Sequence, residues 1–461
     1  MKYDKGLFIF RRDLRIYDNT TLIKASDMCK EIICCFIFTP AQVTSENKYK
    51  SENAIQFMIE TLNDLKHELK KHDCELQTFF GTNTEVLNSI FKQNKIDGCF
   101  FNIDYSPYAL KRDEEVRTIC NKYKVSCICE HDYYLYKPGS IKTGTGGFYK
   151  KYTPFYNTAI DKKVKPIDSQ KITNFSKTLL KGMKSQEITL DLAFKRFTQM
   201  NENILVRGGR GFGLKRLSAA LKEQNKYREK RDLLIYNTTF LSAHIKFGNI
   251  SIREVFHSVK NRYGKQHGII SELIWREFFA HLLYNFPEVV GQSYNEKYRK
   301  IKWRKSMRDF TAWKMGQTGF PVVDAGMRQM NETGYMHNRC RMICATFLIK
   351  ILLLDWRLGE QYFAEKLTDY DIASNNGNWQ GISGTGVDMK PYFRTMNPWI
   401  QSKKFDPNCE YIKKWVPELS DIEPKDIHEW YDKWDKHKIY IKPIADYKER
   451  TEMMMELYKS V

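Results

Sequence analysis

The first 130 residues alternate two hydrophobic periods, and this alternation constrains the fold more than any other feature of the chain. Short apolar runs indicate buried strands, and amphipathic stretches at residues 53–70 and 108–122 indicate helices between them. Strands that alternate with helices pair in parallel and are covered on both faces. We therefore predict an α/β, Rossmann-like domain over residues 1–130, with a five-stranded parallel sheet. The predicted strands are residues 6–10, 31–38, 75–80, 98–103 and 125–130.

The rest of the chain divides into a connector and a helical part. Residues 201–461 have helical periodicity with Trp, Tyr and Phe throughout, which predicts an all-helical domain. Residues 131–200 form the connector, whose middle, residues 161–187, carries seven lysines and no clear period. We expect that segment to run over the surface and to be partly mobile. The GGRG stretch at 208–211 precedes a predicted helix at 214–224, so it is either a phosphate-binding loop or a simple turn.

The net charge of +20 is confined to one part of the chain. Residues 1–130 carry 19 Lys and Arg against 19 Asp and Glu, whereas the other 331 residues carry 56 against 36. A basic part joined to a neutral part favours a polyanionic partner for the basic part only. A generally lysine-rich proteome is the alternative explanation.

The cysteines and the apolar segments indicate the cellular compartment of the protein. The eleven cysteines include no CxxC pair, which indicates reduced, mostly buried thiols and predicts no metal site. The N-terminus has only a short apolar run at residues 7–10, so no signal peptide is predicted. The longest apolar stretch, residues 343–354, is interrupted by Lys350 and is too short to span a bilayer. We expect a soluble, intracellular monomer in the cytoplasm or nucleus, with no membrane partner.

Five stretches of sequence resemble the photolyase and cryptochrome family, and they occur in the family's order from about residue 6 to about residue 440. The resemblance is closest to class I cyclobutane pyrimidine dimer (CPD) photolyases. It implies an α/β antenna domain followed by an all-helical domain that holds FAD. The stretches are FRRDLRIYDN at 10–19, SELIWREF at 271–278, TGYMHNRCRM at 333–342, DYDIASNNGNWQ at 369–380 and PYFRTMNP at 391–398.

The resemblance also implies which residues hold FAD. Hydroxyl groups and free backbone N–H groups before a helix suit the diphosphate. Arg341 and Asp369 would form an ion pair that stabilises negative charge on the reduced isoalloxazine ring. Asn375 would face flavin N5 with a neutral amide where plant-type cryptochromes carry Asp, which favours repair over signalling. The implied set is Tyr227, Arg231, Thr238, Thr239, Leu241, Ser242, Arg341, Asp369, Asp371 and Asn375.

The implied substrate pocket distinguishes between lesions. Trp275 would pack on a flipped-out dimer, with Glu272 and Asn338 as its hydrogen-bonding partners. Met342 matches the methionine of CPD enzymes, whereas the related (6-4) photolyases carry acid–base histidines at the positions of Asn338 and Met342. Cleavage of a CPD needs only electron injection and return, so a pocket without a catalytic histidine is chemically adequate. Gly381 is a departure, because the family usually has a second pocket Trp there.

Electron supply and DNA contacts follow from the same resemblance. Trp379, Trp356 and Trp303 match the chain of tryptophans that carries an electron from the surface to the photo-excited flavin. Arginine suits phosphate because its planar fork binds in a bidentate manner. The residues implied to reach phosphates beside the lesion, or to line the cavity, are Arg276, Arg339, Arg341, Arg394 and Lys404.

A second, light-harvesting chromophore is left open by the sequence. Folate-binding members carry an Asn-Glu pair after the fourth strand, where this chain has Tyr108 and Ala109. The alternatives are a deazaflavin, a second flavin, a folate or no second chromophore.

Together, these features predict light-driven repair of CPDs in UV-damaged DNA, by electron transfer from photo-excited reduced FAD. Three alternatives share part of the pattern. They are a cryptochrome-like blue-light photoreceptor, a (6-4) photolyase and a non-catalytic basic DNA-binding protein.

The charge distribution predicts strongly salt-dependent binding to DNA. If about six phosphates are contacted, affinity should fall by roughly 10³-fold or more between 50 and 200 mM salt, because each contact releases counterions. Titration of a labelled duplex at several salt concentrations measures the slope. A flat response would remove the polyanion interpretation of the +20 charge.

Overall fold

A five-stranded sheet forms the centre of the N-terminal part of the computed structural model, which describes residues 1–387 and 391–461. The strand order is β3-β2-β1-β4-β5, and every neighbouring pair is parallel. The predicted α/β fold is confirmed, and the strand ends differ from the prediction by three residues or fewer. The strands are β1 Tyr3–Phe10, β2 Cys29–Phe38, β3 Gln77–Phe80, β4 Gly98–Ile103 and β5 Ser126–His131.

Helices connect these strands, and helices with the loops between them form the C-terminal part that the structure describes, which contains no strand. The helices are α1 Thr20–Met28, α2 Pro40–Val43, α3 Glu52–Lys70, α4 Asn83–Gln93, α5 Pro107–Lys122, α6 Tyr152–Ile160, α7 Leu190–Phe197, α8 Arg210–Glu223, α9 Tyr227–Lys230, α10 Ser242–Phe247, α11 Ile252–Tyr263, α12 Gly268–Asn285, α13 Met307–Met315, α14 Pro321–Thr333, α15 Asn338–Thr346, α16 Trp356–Lys366, α17 Ile372–Ser383, α18 Pro398–Phe405, α19 Glu410–Trp415, α20 Pro424–His428, α21 Trp430–His437 and α22 Tyr447–Lys459. The predicted all-helical second domain is therefore confirmed.

Successive residues of β1 enter two different cores. Leu7 and Ile9 pack on one face of the sheet, whereas Phe8 and Phe10 pack on the other. Because helices cover both faces, the buried second half of the strand, residues 6–10, is continuously apolar instead of alternating with polar residues. This explains why the central strands appear in the sequence as short continuous apolar runs.

The helical domain has its own core, rich in tryptophan. Trp313, Trp356, Trp379 and Trp430 belong to one buried cluster. Indole rings bury large apolar areas, so this core can hold many short helices together. Within residues 1–387 and 391–461, no helix is long and apolar enough to cross a membrane.

The connector packs against the sheet domain, contrary to the surface-running linker expected from its composition. Ile172 and Ile188 are buried in the same core as one face of the sheet, and Leu180 and Met183 are buried against the other. Phe175 forms a parallel bridge with Ile32 on β2. Because this stretch follows the contour of the sheet, its apolar residues have no regular period.

The glycine-rich loop before α8 is a turn fixed to α3. The backbone N–H groups of residues 208–210 donate to the side chains of Glu60, Thr61 and Asp64. Two carboxylates therefore occupy the donors that a phosphate would need, and they would repel it. The phosphate alternative for this loop is wrong.

A buried ionic cluster joins the two domains. Arg253 on α11 donates from Nε to Asp18 at 3.0 Å and from Nη2 to Asp132 at 2.8 Å. Arg15 donates to the other oxygen of Asp132 at 2.6 Å. The four side chains are at most 5% exposed. Each charge has an opposite partner, which is the condition under which burial of charge is tolerated.

Removal of one member of this cluster should destabilise the fold strongly. Arg253→Met should lower the free energy of unfolding by about 3–5 kcal/mol, because it leaves two carboxylates buried and underpaired. Denaturant titration measures the change. Lys260→Ala, at an exposed position on the same helix, is the control and should change stability by about 0.5 kcal/mol or less. Equal effects of the two variants would contradict a stabilising role for the cluster.

Candidate active site

The side chains predicted to bind a lesion line one cavity of about 380 Å³ in the helical domain. Glu272 and Trp275 lie one turn apart on α12, and Asn338 and Met342 lie four residues apart on α15. Residues three or four apart share one face of a helix, so each helix contributes two of these side chains to the same cavity. Gly381 on α17 also lines it. The described residues that line the cavity include no histidine.

Two ion pairs lie at the edge of this cavity. Arg231 forms a salt bridge with Glu272, and Arg339 contacts Asp232 at 2.7 Å. Burial raises the pKa of Glu272, although the charge of Arg231 opposes this shift. The carboxyl group of Glu272 is thus held by a neighbouring cation that also faces the cavity.

Several of the predicted FAD-binding residues form a second group. Arg341 donates to Asp369 at 3.0 Å, and the Thr238 hydroxyl is 3.3 Å from the hydroxyl of Tyr335, whose ring lies beneath the Arg341 guanidinium. Burial alone would raise the pKa of Asp369, but the charge of Arg341 outweighs it and the pKa is lowered. The ion pair is therefore fully charged at neutral pH.

The environment of Asp369 fits a flavin or its ribityl chain. Its Oδ1 atom is buried and accepts no hydrogen bond of good geometry from the described residues, although the Ser242 side chain lies near this carboxylate. A buried carboxylate oxygen without a donor is energetically costly, so a bound group with an N–H or O–H is expected there. FAD carries such donors. In the neighbouring loop, Thr239 accepts from the backbone N–H of Leu241 at 3.4 Å, and Ser242 begins α10.

Asp371 and Asn375 make contacts that the sequence did not predict. Asp371 caps α17 and accepts from Arg12 of the sheet domain at 2.8 Å. Burial would raise the pKa of Asp371, but the charge of Arg12 lowers it well below its usual value. The Asn375 side-chain amide donates to the Glu360 carboxylate at 2.9 Å, which fixes the orientation of the amide.

A further cavity, of about 420 Å³, lies between the two domains at the carboxyl edge of the sheet. Arg12, Tyr108, Lys246 and Asp371 are among its lining residues. Desolvation and the nearby Arg12 cation lower the pKa of Lys246 to about 8. Ligands of parallel α/β sheets commonly bind at this edge. Sequence reasoning missed Arg12 and Lys246, although the RRD that directly follows β1 was a usable signal.

The three predicted electron-transfer tryptophans lie in or against one core. Trp356 and Trp379 belong to the buried cluster of the helical domain, and Trp303 packs against it. Trp379 meets the ring of Phe363 edge-on at 4.9 Å, and Trp303 meets Tyr458 edge-on at 6.0 Å. The three tryptophans thus share one core despite their separation in sequence.

The predicted DNA contacts differ in their surroundings. Arg394 and Lys404 are exposed, and Arg339 lines the central cavity. Arg276 donates to the backbone oxygen of Tyr133 at 2.8 Å, and its guanidinium lies over the Tyr134 ring. Arg276 therefore faces the start of the connector, which favours a structural role over a phosphate contact. Among the described residues there is no cluster of three or more His, Cys, Asp and Glu side chains that could hold a metal ion.

Comparison with known proteins agrees with this architecture. Residues 7–171 match the family described as DNA photolyase, and residues 269–460 match the FAD binding domain of DNA photolyase. A deoxyribodipyrimidine photo-lyase of Buchnera aphidicola subsp. Baizongia pistaciae is 35% identical, covering 96% of this chain and 95% of its own. A sheet domain joined to a helical FAD-binding domain defines a class of flavoproteins. Within that class, the chain belongs to the DNA photolyase family.

Two solved structures share the whole fold. An archaeal photolyase from Sulfolobus tokodaii, crystallised with two FAD molecules, is 40% identical with a TM-score of 0.89, covering 99% of this chain and 100% of its own. A bacterial class III photolyase from Agrobacterium tumefaciens is 29% identical with a TM-score of 0.91, covering 100% and 98%.

The contact between Asn375 and Glu360 predicts a pH-dependent variant. Asn375→Asp would place two carboxylates together, and burial already raises the pKa of Glu360. The pair should share a proton with a raised pKa, so the folded state binds more protons than the unfolded state. Stability should therefore fall by about 1–3 kcal/mol as the pH rises from 5 to 8.

Thermal unfolding across that pH range measures the effect. Asn378→Asp, at an exposed position of the same helix, is the matched control and should show little pH dependence beyond that of the unmodified protein. Parallel pH profiles for the two variants would contradict the predicted coupling to Glu360.

Proposed function

We propose that the protein repairs cyclobutane pyrimidine dimers in DNA, using light and reduced FAD. The observation that carries the proposal is the central cavity, where Trp275, Glu272, Asn338 and Met342 meet and no described lining residue is a histidine. An aromatic platform with hydrogen-bonding partners suits a flipped-out pyrimidine dimer. The curated relatives named deoxyribodipyrimidine photo-lyase support the same activity.

The residues of the cavity hold and orient the dimer. When bound, reduced FAD excited by blue or near-UV light would supply an electron that returns once the two cyclobutane bonds are cleaved, so there would be no net redox change. Trp275 would stack on the dimer, while Glu272 and Asn338 would bind its polar edges. Arg341, held by its ion pair with Asp369, would offset negative charge on the reduced ring. None of these roles requires proton transfer to the lesion.

Electron supply and DNA binding use other parts of the helical domain. Trp379, Trp356 and Trp303 are proposed to reduce the flavin before repair, because they share one core. Arg339, Arg394 and Lys404 are proposed to contact phosphates beside the lesion. The remaining proposed FAD contacts are Tyr227, Arg231, Thr238, Thr239, Leu241, Ser242, Asp371 and Asn375.

A second flavin is the proposed occupant of the cavity at the edge of the sheet. The cavity offers apolar and aromatic walls together with Arg12, Arg112 and Lys246, which suit a planar ring with an anionic substituent. The Sulfolobus tokodaii structure, with two FAD molecules, favours this assignment over a deazaflavin or a folate. We assign the protein to class I from its sequence motifs and expect it to act as a monomer without a metal ion.

The choice of lesion provides the decisive experiment. Reduced, illuminated protein should restore thymines in a CPD duplex and leave a (6-4) duplex unchanged, as measured by chromatography of the digested products. Glu272→Ala should weaken binding of the CPD duplex by about 1–3 kcal/mol, because a buried thymine edge loses its partner. Glu296→Ala, at a carboxylate whose side chain is 84% exposed, is the control.

Two outcomes would replace the proposal. Repair of the (6-4) duplex alone would identify a (6-4) photolyase. Repair of neither duplex, with a normal flavin spectrum, would favour a cryptochrome-like photoreceptor.

A further inference from the structure

Tyr152 stacks face to face on the tryptophan that is proposed to bind the dimer. The ring centroids of Tyr152 and Trp275 are 3.5 Å apart, and the ring planes differ by only 5°. Tyr152 begins α6 in the connector, whereas Trp275 lies in the middle of α12. The connector therefore contributes directly to the surroundings of the candidate active site.

A second contact fixes the position of the Tyr152 ring. Its hydroxyl donates to the backbone oxygen of Ser271 at 2.8 Å and lies 2.9 Å from the Ser271 hydroxyl. Ser271 precedes Trp275 by four residues, so it lies one turn away on the same face of α12. Burial raises the pKa of Tyr152, which keeps its hydroxyl protonated as a donor. The tyrosine is thus held at its ring and at its hydroxyl by one helix.

The stack supports Trp275 from outside the cavity. Trp275 lines the cavity, whereas Tyr152 is not among the described residues that line it. On α12 itself, Phe279 lies 5.5 Å from Trp275 with ring planes 27° apart. The indole is therefore held by aromatic neighbours from two elements. A side chain that is already fixed in its binding rotamer loses less entropy when a ligand arrives.

We propose that Tyr152 is a positioning residue that fixes the Trp275 indole and thereby sets discrimination between damaged and undamaged DNA. The proposal rests on the proposed function, because it assigns a role to the support of the lesion-binding ring. The support matters more in this chain because Gly381 supplies no side chain to the same cavity. Trp275 and Phe279 are the aromatic side chains among the described lining residues, so lesion recognition depends on how well the larger ring of Trp275 is held.

Three variants of the FAD-loaded protein test the role. Tyr152→Leu removes the stack, and Tyr152→Phe keeps the ring but removes the hydrogen bond to Ser271. Tyr156→Leu is the matched control, since Tyr156 lies one turn later on α6, donates to Gln266 and meets the Tyr152 ring only in a tilted contact at 5.8 Å. Affinities for a CPD duplex and for the undamaged duplex of the same sequence are measured in the dark. Repair per bound complex is measured at saturating DNA under light.

Tyr152→Leu should lose about 3- to 10-fold in affinity for the CPD duplex, the size expected for one aromatic pair. Affinity for undamaged DNA, the flavin spectrum and repair at saturation should be unchanged. Tyr152→Phe should retain most of the discrimination, and Tyr156→Leu all of it. A purely structural role would instead lower the melting temperature and both affinities together.

The proposal is overturned if Tyr152→Leu discriminates as well as the unmodified protein, or if it loses both affinities in parallel. A different result tests the underlying function. If the unmodified protein itself shows no preference for the CPD duplex and no repair, the proposed function fails, irrespective of the variants.

Discussion

The buried ionic cluster between the domains is the interaction on which the remaining architecture depends. Arg253 joins Asp18, which follows β1, to Asp132, which follows β5, and so attaches α11 to the carboxyl edge of the sheet. Charges at this depth must remain paired, since loss of one partner leaves another charge desolvated. The cluster therefore favours the observed arrangement of the two domains. The cavity at the sheet edge, which is lined by residues of both domains, takes its shape from that arrangement.

A second ion pair between the domains lies at the sheet-edge cavity and at the start of a helix that lines the central cavity. Arg12 follows β1 and reaches Asp371, the N-cap of α17. Asp371 lines the cavity at the sheet edge, while α17 contributes Gly381 to the central cavity. The start of α17 is thus held by the sheet domain, and its later turns form a wall of the candidate active site. A group bound at the sheet edge would touch the same carboxylate that fixes this helix.

The central cavity combines an aromatic platform with charged side chains that are paired with one another. The carboxyl group of Glu272, which could otherwise exchange a proton with a bound lesion, is paired with Arg231. The side chains of Asn338 and Met342 have no titratable group. Such a lining suits chemistry in which an electron, and not a proton, is transferred. Selectivity for the lesion then depends on how the Trp275 ring is positioned. The stacking of Tyr152 on Trp275 is the contact that holds this ring.

The sequence by itself determined the strands, and its resemblance to a known family named the residues that meet in the central cavity. Apolar runs identified the five strands, because most of their residues are removed from water, and the resemblance named Glu272, Trp275, Asn338 and Met342. Tertiary structure decided the packing of the connector, the contact of Arg12 with Asp371 and the stacking of Tyr152 on Trp275. Each of these joins elements far apart in the chain, and each involves single side chains whose spacing has no period. The periodicity of a sequence indicates which face of a helix or strand is buried. Which residue of another element lies against that face is decided only when the domains pack.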